Sequence, residues 1–103
     1  MTELEINKAL ALAIGWPKKR VSDYMTDDFV LITEWPEVGF VRRFDYRDWA
    51  VIGPIAEKYN AFPLHYQRQG GWISIATVGD AVNEAMSDTP QKAIALAVIG
   101  AKK

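Results

Sequence analysis

The chain has 103 residues, of which 50% are apolar and 24% charged, and its formal net charge is −1. That length suits one domain, the composition is that of a globular protein, and the balanced charge argues against a protein that coats nucleic acid. Because the chain has no cysteine and one histidine, disulfides, thiol nucleophiles and the usual cysteine or multi-histidine metal sites are excluded.

The first predicted element is a helix that begins after Thr2. Thr2 and Glu5 have the spacing of a capping box. Apolar residues then recur on one helical face, at Ile6, Leu10, Ala13 and Ile14. Gly15, Trp16 and Pro17 predict the end of this helix, because glycine takes the left-handed conformation and proline cannot continue the helix.

Two strands are predicted after a charged loop. Residues 29–33 and 40–44 are rich in β-branched and aromatic side chains, which favours strands. Trp35, Pro36 and Glu37 predict the turn between them.

A second helix is predicted with Asp48 as its N-cap, and Asp45 as the weaker alternative. Its apolar face consists of Trp49, Ile52, Ile55, Ala56 and Tyr59. Pro54 lies inside this pattern, which predicts either a kink or a helix that begins near Gly53.

The clearest hairpin joins residues 64–68 to residues 72–78, with Trp72 on its second strand. Gly70 and Gly71 are expected to supply the positive φ angles of the turn. Residues 79–87 are predicted to form a loop, with one helical turn in it as an alternative. Thr89 as N-cap and Pro90 as first residue begin the last helix, which is apolar almost all round and is therefore expected to be buried.

The predicted fold class is α+β, as a single domain over residues 1–103. The predicted order is α-β-β-α-β-β-α, with a mainly antiparallel sheet of about four strands packed with helices. We expect a cytoplasmic protein without a membrane contact, because no targeting segment or membrane-spanning stretch is visible.

Four landmarks resemble small accessory proteins of tailed bacteriophages and prophages. They are ALAIGW, DYRDWAVIGPIAEKY, FPLHYQRQGGWISIA and SDTPQKAIALAVIG. They are similar to the phage α-β-α sandwich domain, and GPIAEKY is similar to a segment of the Nin-region X family. The resemblance implies the α-β-α sandwich fold, a viral origin and structural roles for the matching residues, but it implies no activity. The residues carried over are Gly15, Trp16, Asp48, Glu57, Lys58, Trp72, Thr89 and Pro90, and residues 18–44 have no counterpart.

The candidate binding residues are arginines mixed with aromatic side chains. Arg42, Arg43, Arg47 and Arg68 stand near Phe40, Phe44, Tyr46 and Trp72 in the sequence. Solvated arginines beside core aromatics are the first interpretation, a protein interface the second and single-stranded nucleic acid the third. Trp35 has no structural role in the predicted fold, so its exposure would mark a contact site.

No catalytic residue, metal ligand or cofactor is predicted. His65 is expected to be structural or at the surface, because no nucleophile can be assigned to it. The acidic residues Asp23, Asp27, Asp28, Glu34 and Glu37 lack the spacing of a calcium loop and are expected to be solvated.

Three functions follow in order of preference. The first is a non-enzymatic phage accessory protein that binds another protein, such as a host or defence factor. The second is a nucleic-acid-binding accessory protein, and the third is a metal-dependent enzyme. A homodimer is compatible with the open strand edges that the predicted sheet would have.

Overall fold

The computed structural model describes residues 1–23, 28–35, 39–66 and 70–103, except for the side chain of Trp35. It has α+β architecture and divides into two compact units, Met1–Asp45 and Tyr46–Lys103. The prediction of a single domain stays a prediction.

The first unit contains one long helix and a three-stranded antiparallel sheet. Its elements are α1 (Glu3–Ala13), a short 3-10 helix (Lys18–Arg20), β1 (Val21–Ser22), β2 (Val30–Trp35) and β3 (Phe40–Phe44). The strand order is β1-β2-β3. The apolar part of its core consists of Ile6, Leu10, Ala11, Val30, Ile32 and Phe44.

Both predicted ends of α1 are present. The Glu5 N–H donates to the Thr2 hydroxyl and the Thr2 N–H donates to the Glu5 carboxylate, each over 3.1 Å. Gly15 has a φ of +110°, which lets the Trp16 N–H turn back to the Ala11 carbonyl at 3.1 Å. This pattern satisfies carbonyls that the helix end would otherwise leave unpaired.

The second unit contains two helices and another three-stranded antiparallel sheet. Its elements are α2 (Trp49–Lys58), β4 (Pro63–Tyr66), β5 (Gly71–Val78), β6 (Ala81–Ser87) and α3 (Pro90–Ala101). The strand order is β4-β5-β6, and α3 packs mainly on β5 and β6.

The predicted caps of α2 and α3 are observed. Asp48 accepts a hydrogen bond from the Ala50 N–H at 2.9 Å, and Thr89 accepts one from the Lys92 N–H at 3.3 Å. The helix α2 begins directly after Asp48, so the alternative start near Gly53 is wrong and Pro54 lies inside the helix.

Two details of the predicted fold need correction. The order gains β1 and β6, and two three-stranded sheets replace the predicted sheet of about four strands. The strand β6 was missed because its polar residues are poor strand formers, and pairing with β5 overrides that preference.

The hairpin turn also differs in one residue. Gly70 has the expected positive φ of +64°. Gly71 is instead the first residue of β5, where a Cβ would lie 3.1 Å from the Ser87 carbonyl oxygen. Gly71 therefore allows close approach of two strands and does not form the turn itself.

Candidate functional site

The sheet of the second unit has one covered and one open face. Along β5, Ser74 and Ala76 are buried on the side of α3, whereas Ile75 and Thr77 on the opposite side are exposed. This alternation follows from the two-residue period of a strand.

The register extends the open side of the sheet across all three strands. Leu64 and Met86 both pair with Ile73, and Glu84 pairs with Ile75. We call this surface the outer face. It consists of Leu64, Ile73, Ile75, Thr77, Val82, Glu84 and Met86.

The outer face is apolar although it is open to solvent. Leu64 is 68% exposed and Val82 is 66% exposed, and Ile75 and Met86 are exposed as well. Glu84 is its only charged residue. An antiparallel sheet with one covered face usually carries polar side chains on the other, so a contiguous apolar surface here indicates a contact surface.

The two arginines of β3 have partners within their own unit. Arg42 Nε lies 2.9 Å from Glu34 Oε1, and its guanidinium lies 5.9 Å from the Trp16 ring centroid. Arg43 Nη2 lies 3.2 Å from Asp45 Oδ2, and its guanidinium lies 4.3 Å from the Phe29 ring centroid.

Arg42 and Arg43 are therefore not a free basic pair. As neighbours in a strand they project to opposite faces, and each guanidinium already contacts a carboxylate and an aromatic ring. Their exposed charge is balanced locally, which lowers the gain from binding a phosphate backbone.

The remaining candidate residues are Arg47, Arg68 and Trp35. Arg47 lies in the second unit, where its carbonyl accepts a hydrogen bond from Gln91 Nε2 at 3.4 Å. Arg68 lies outside the described residues. Trp35 ends β2, but its side chain also lies outside the described part of the chain.

His65 takes part in a ring contact across the β4–β5 pair. It pairs with Trp72, and the two ring centroids are 4.9 Å apart with an interplanar angle of 55°. The contact lies on the face opposite Leu64, so the lone imidazole is not part of the outer face.

The acidic stretch does not form a metal site in the described residues. Lys8 Nζ lies 3.0 Å from Asp23 Oδ2, and this hydrogen bond lowers the pKa of Asp23 below its ordinary value. No group of three or more histidine, aspartate or glutamate residues that could hold a metal ion occurs in residues 1–23, 28–35, 39–66 and 70–103. Asp27 and Glu37 lie outside those ranges.

The sequence contained a signal for the part of the outer face that the prediction missed. Gly79 and Asp80 form a two-residue connection between β5 and β6, and Gly79 has a φ of +59°. Glycine in the first central position is typical of a type II′ hairpin turn. With β6 read as a loop, Val82 and Met86 had no place in the predicted sheet.

Comparison with known proteins adds no relative. No family model matches the chain, and neither the curated proteins nor the solved structures contain a match. Among the helices that the structure describes, none combines the length and the apolar character that crossing a membrane requires.

Proposed function

We propose that this chain is a non-enzymatic accessory protein of a phage or prophage that binds another protein through the outer face. It acts in the cytoplasm of the host cell, and its partner is a host or defence factor. The observation that carries the proposal is the exposed apolar surface around Leu64, Ile75 and Val82.

The physical argument for binding is the free energy of covering this surface. Removing apolar surface from water is favourable by about 25 cal/mol per Å². The partner therefore presents an apolar surface of its own, with a basic or neutral residue near Glu84. Interfaces of this kind have an apolar centre with few charges, and the outer face has that composition.

The phage origin and the non-enzymatic character have separate support. The origin is supported by the four motifs that resemble phage accessory proteins. The non-enzymatic character is supported by the composition, which contains no cysteine and one histidine. The His65 ring packs at a tilt against the Trp72 ring, which fits a structural residue.

The experiment compares partner capture by three forms of the full chain in host lysate. Val82→Lys places a charge in the outer face, and Val41→Lys makes the same change at a valine of β3 that is 48% exposed. We expect a stoichiometric partner with the wild-type chain and with Val41→Lys, and at least a tenfold loss of it with Val82→Lys.

Two results would contradict the proposal. One is equal capture by Val82→Lys and the wild-type chain. The other is salt-sensitive binding of DNA or RNA by the pure chain with no protein partner, which would favour the nucleic-acid function instead.

A further inference from the structure

The strand β6 is a long sheet edge with little protection. It has seven residues, contains no proline and a single charged residue, Glu84, and pairs with β5 in an unbroken register from Trp72–Ser87 to Val78–Ala81. The opposite edge, β4, has four residues and starts with Pro63. Proteins that stay monomeric usually protect such edges with bulges, prolines or charges.

The hairpin geometry defines which main-chain groups of β6 point outward. In a two-residue hairpin the flanking pair, Val78 and Ala81, exchanges both hydrogen bonds. Hydrogen-bonded and non-hydrogen-bonded pairs alternate along the two strands. The N–H and C=O groups of Val82, Glu84 and Met86 therefore point away from β5. No hydrogen bond to these groups occurs in the part of the chain that the structure describes.

A half-buried flank of α3 lies next to the same edge. The Asn83 amide donates to the Ala97 carbonyl at 3.1 Å and lies 3.5 Å from the Leu96 carbonyl oxygen. Leu96 itself is partly exposed. A partner at this edge therefore contacts both β6 and α3. A second copy of this chain can place its own β6 against this strand and its own α3 against this helix.

From these observations we infer that the chain forms a two-fold symmetric dimer by antiparallel pairing of β6 with β6 of a second copy. The pairing makes a continuous six-stranded sheet, with α3 of each copy on the same side. It satisfies the outward main-chain groups, and the formal net charge of −1 per chain makes repulsion between copies small.

The charge of Glu84 argues against one register. A two-fold axis at Glu84 would place two carboxylates directly opposite each other, which is destabilising. An axis at Ala85 places each Glu84 opposite Met86 of the second copy. Each of these two pairs exchanges two main-chain hydrogen bonds, so four bonds join the two strands. This axis also puts the small Ala85 side chains at a non-hydrogen-bonded pair, where Cα atoms are only about 4.5 Å apart.

The dimer adds to the proposed function without depending on it. The side chains of Val82 and Met86 belong to the outer face, so pairing of β6 strands joins the outer faces of two copies into one surface. A chain that dimerises but binds no further partner would contradict the proposed function and leave the dimer intact. A chain that binds a partner as a monomer would contradict the dimer and leave the proposed function intact.

The first test is the molar mass of the full chain by analytical ultracentrifugation. We expect twice 11.6 kDa for the wild-type chain at high micromolar concentration. Glu84→Pro removes an outward N–H and no hydrogen bond to β5, so it should give a folded monomer. Glu84→Gln keeps the N–H and removes the charge, so it should remain dimeric. A monomeric wild-type chain, or a dimeric Glu84→Pro with an unchanged circular dichroism spectrum, overturns the inference.

The second test reads the register, and the absence of native cysteine makes it direct. Under mild oxidation Ala85→Cys should form a disulfide between two copies, because its partner lies within disulfide distance. Ala81→Cys, on the same side of the same strand but far from the axis, should not. Cross-linking of Ala81→Cys and not of Ala85→Cys overturns the Ala85 register.

Discussion

The buried side chain of Asn7 holds two segments of the first unit together. Its Nδ2 donates to the Asp28 carbonyl at 2.8 Å and lies 3.4 Å from Asp45 Oδ1. Both Asn7 and Asp45 are buried. A helix residue thereby contacts the segment just before β2 and the residue that follows β3.

Replacing Asn7 should therefore cost more than its size suggests. Asn7→Ala takes a donor away from a buried carboxylate and a carbonyl, and we expect the free energy of unfolding to fall by about 1–3 kcal/mol. Urea denaturation measures this, with Lys8→Ala as the control. That variant breaks the exposed Lys8–Asp23 pair and should change the stability little, because water and salt screen both charges. An Asn7→Ala cost no larger than the control would contradict this role.

The capping box of α1 predicts a defined pH dependence. The Thr2 N–H and the Thr2 hydroxyl both hydrogen-bond with Glu5, and they lower the pKa of its carboxyl below the ordinary value. A carboxyl with a lower pKa in the folded chain stabilises it above the ordinary pKa, and loses this effect as the pH falls through the folded value.

Glu5→Gln isolates that effect, because glutamine keeps the capping-box acceptor and carries no charge. The variant should have a lower Tm than the wild-type chain at neutral pH, and the difference should disappear at strongly acid pH. Thermal unfolding followed by circular dichroism over a pH series measures it. A Tm difference that stays constant over the whole series would show that the charge of Glu5 has no part in stability.

At the level of elements, Asn83 links β6 to α3. Its amide donates to the Ala97 carbonyl at 3.1 Å, and a Cβ on Gly100 would overlap that amide. The glycine near the end of the helix thus makes space for a side chain of the neighbouring strand.

This contact predicts a reversal of sign in a double-mutant cycle. Gly100→Ala should lower the free energy of unfolding by about 1 kcal/mol, because the displaced Asn83 loses its hydrogen bond. In an Asn83→Ala background the same change should stabilise the chain by about 0.5–1 kcal/mol, since alanine is the better helix former. Chemical denaturation of the four proteins measures the coupling, and additive effects would contradict it.

Helix ends were predictable from sequence because they depend on neighbouring residues. Thr2, Asp48 and Thr89 act as N-caps in the structure, and Gly15 ends α1 with a positive φ. Each of these roles needs only a few consecutive residues. The strand β6 depends instead on pairing with β5, so its polar residues indicated a loop although Gly79 and Asp80 marked the turn.

The candidate site was less predictable than the helices for a related reason. Arg42 and Arg43 stood out as a basic cluster, but their ion pairs with Glu34 and Asp45 become visible only when the strands are placed side by side. The outer face requires three strands in register, and one of them was not predicted. The arginine ion pairs and the outer face both depend on contacts between residues that are distant in the sequence.

For the whole molecule, dimerisation through β6 should link stability to protein concentration. If the folded chain is a dimer and the unfolded chain a monomer, mass action favours the folded state by about 1.4 kcal/mol per dimer for each tenfold rise in concentration. The Tm of the wild-type chain should therefore rise with concentration. The Tm of Glu84→Pro should not, because its edge cannot accept a second copy.

Differential scanning calorimetry over a wide concentration range measures this, with Glu84→Gln as the control that retains the concentration dependence. The comparison separates two costs of the proline, because a locally strained β6 lowers the Tm equally at every concentration. Loss of pairing instead removes the slope of Tm against concentration. A wild-type Tm that is independent of concentration across the dissociation range seen in ultracentrifugation would show that folding and dimerisation are not linked.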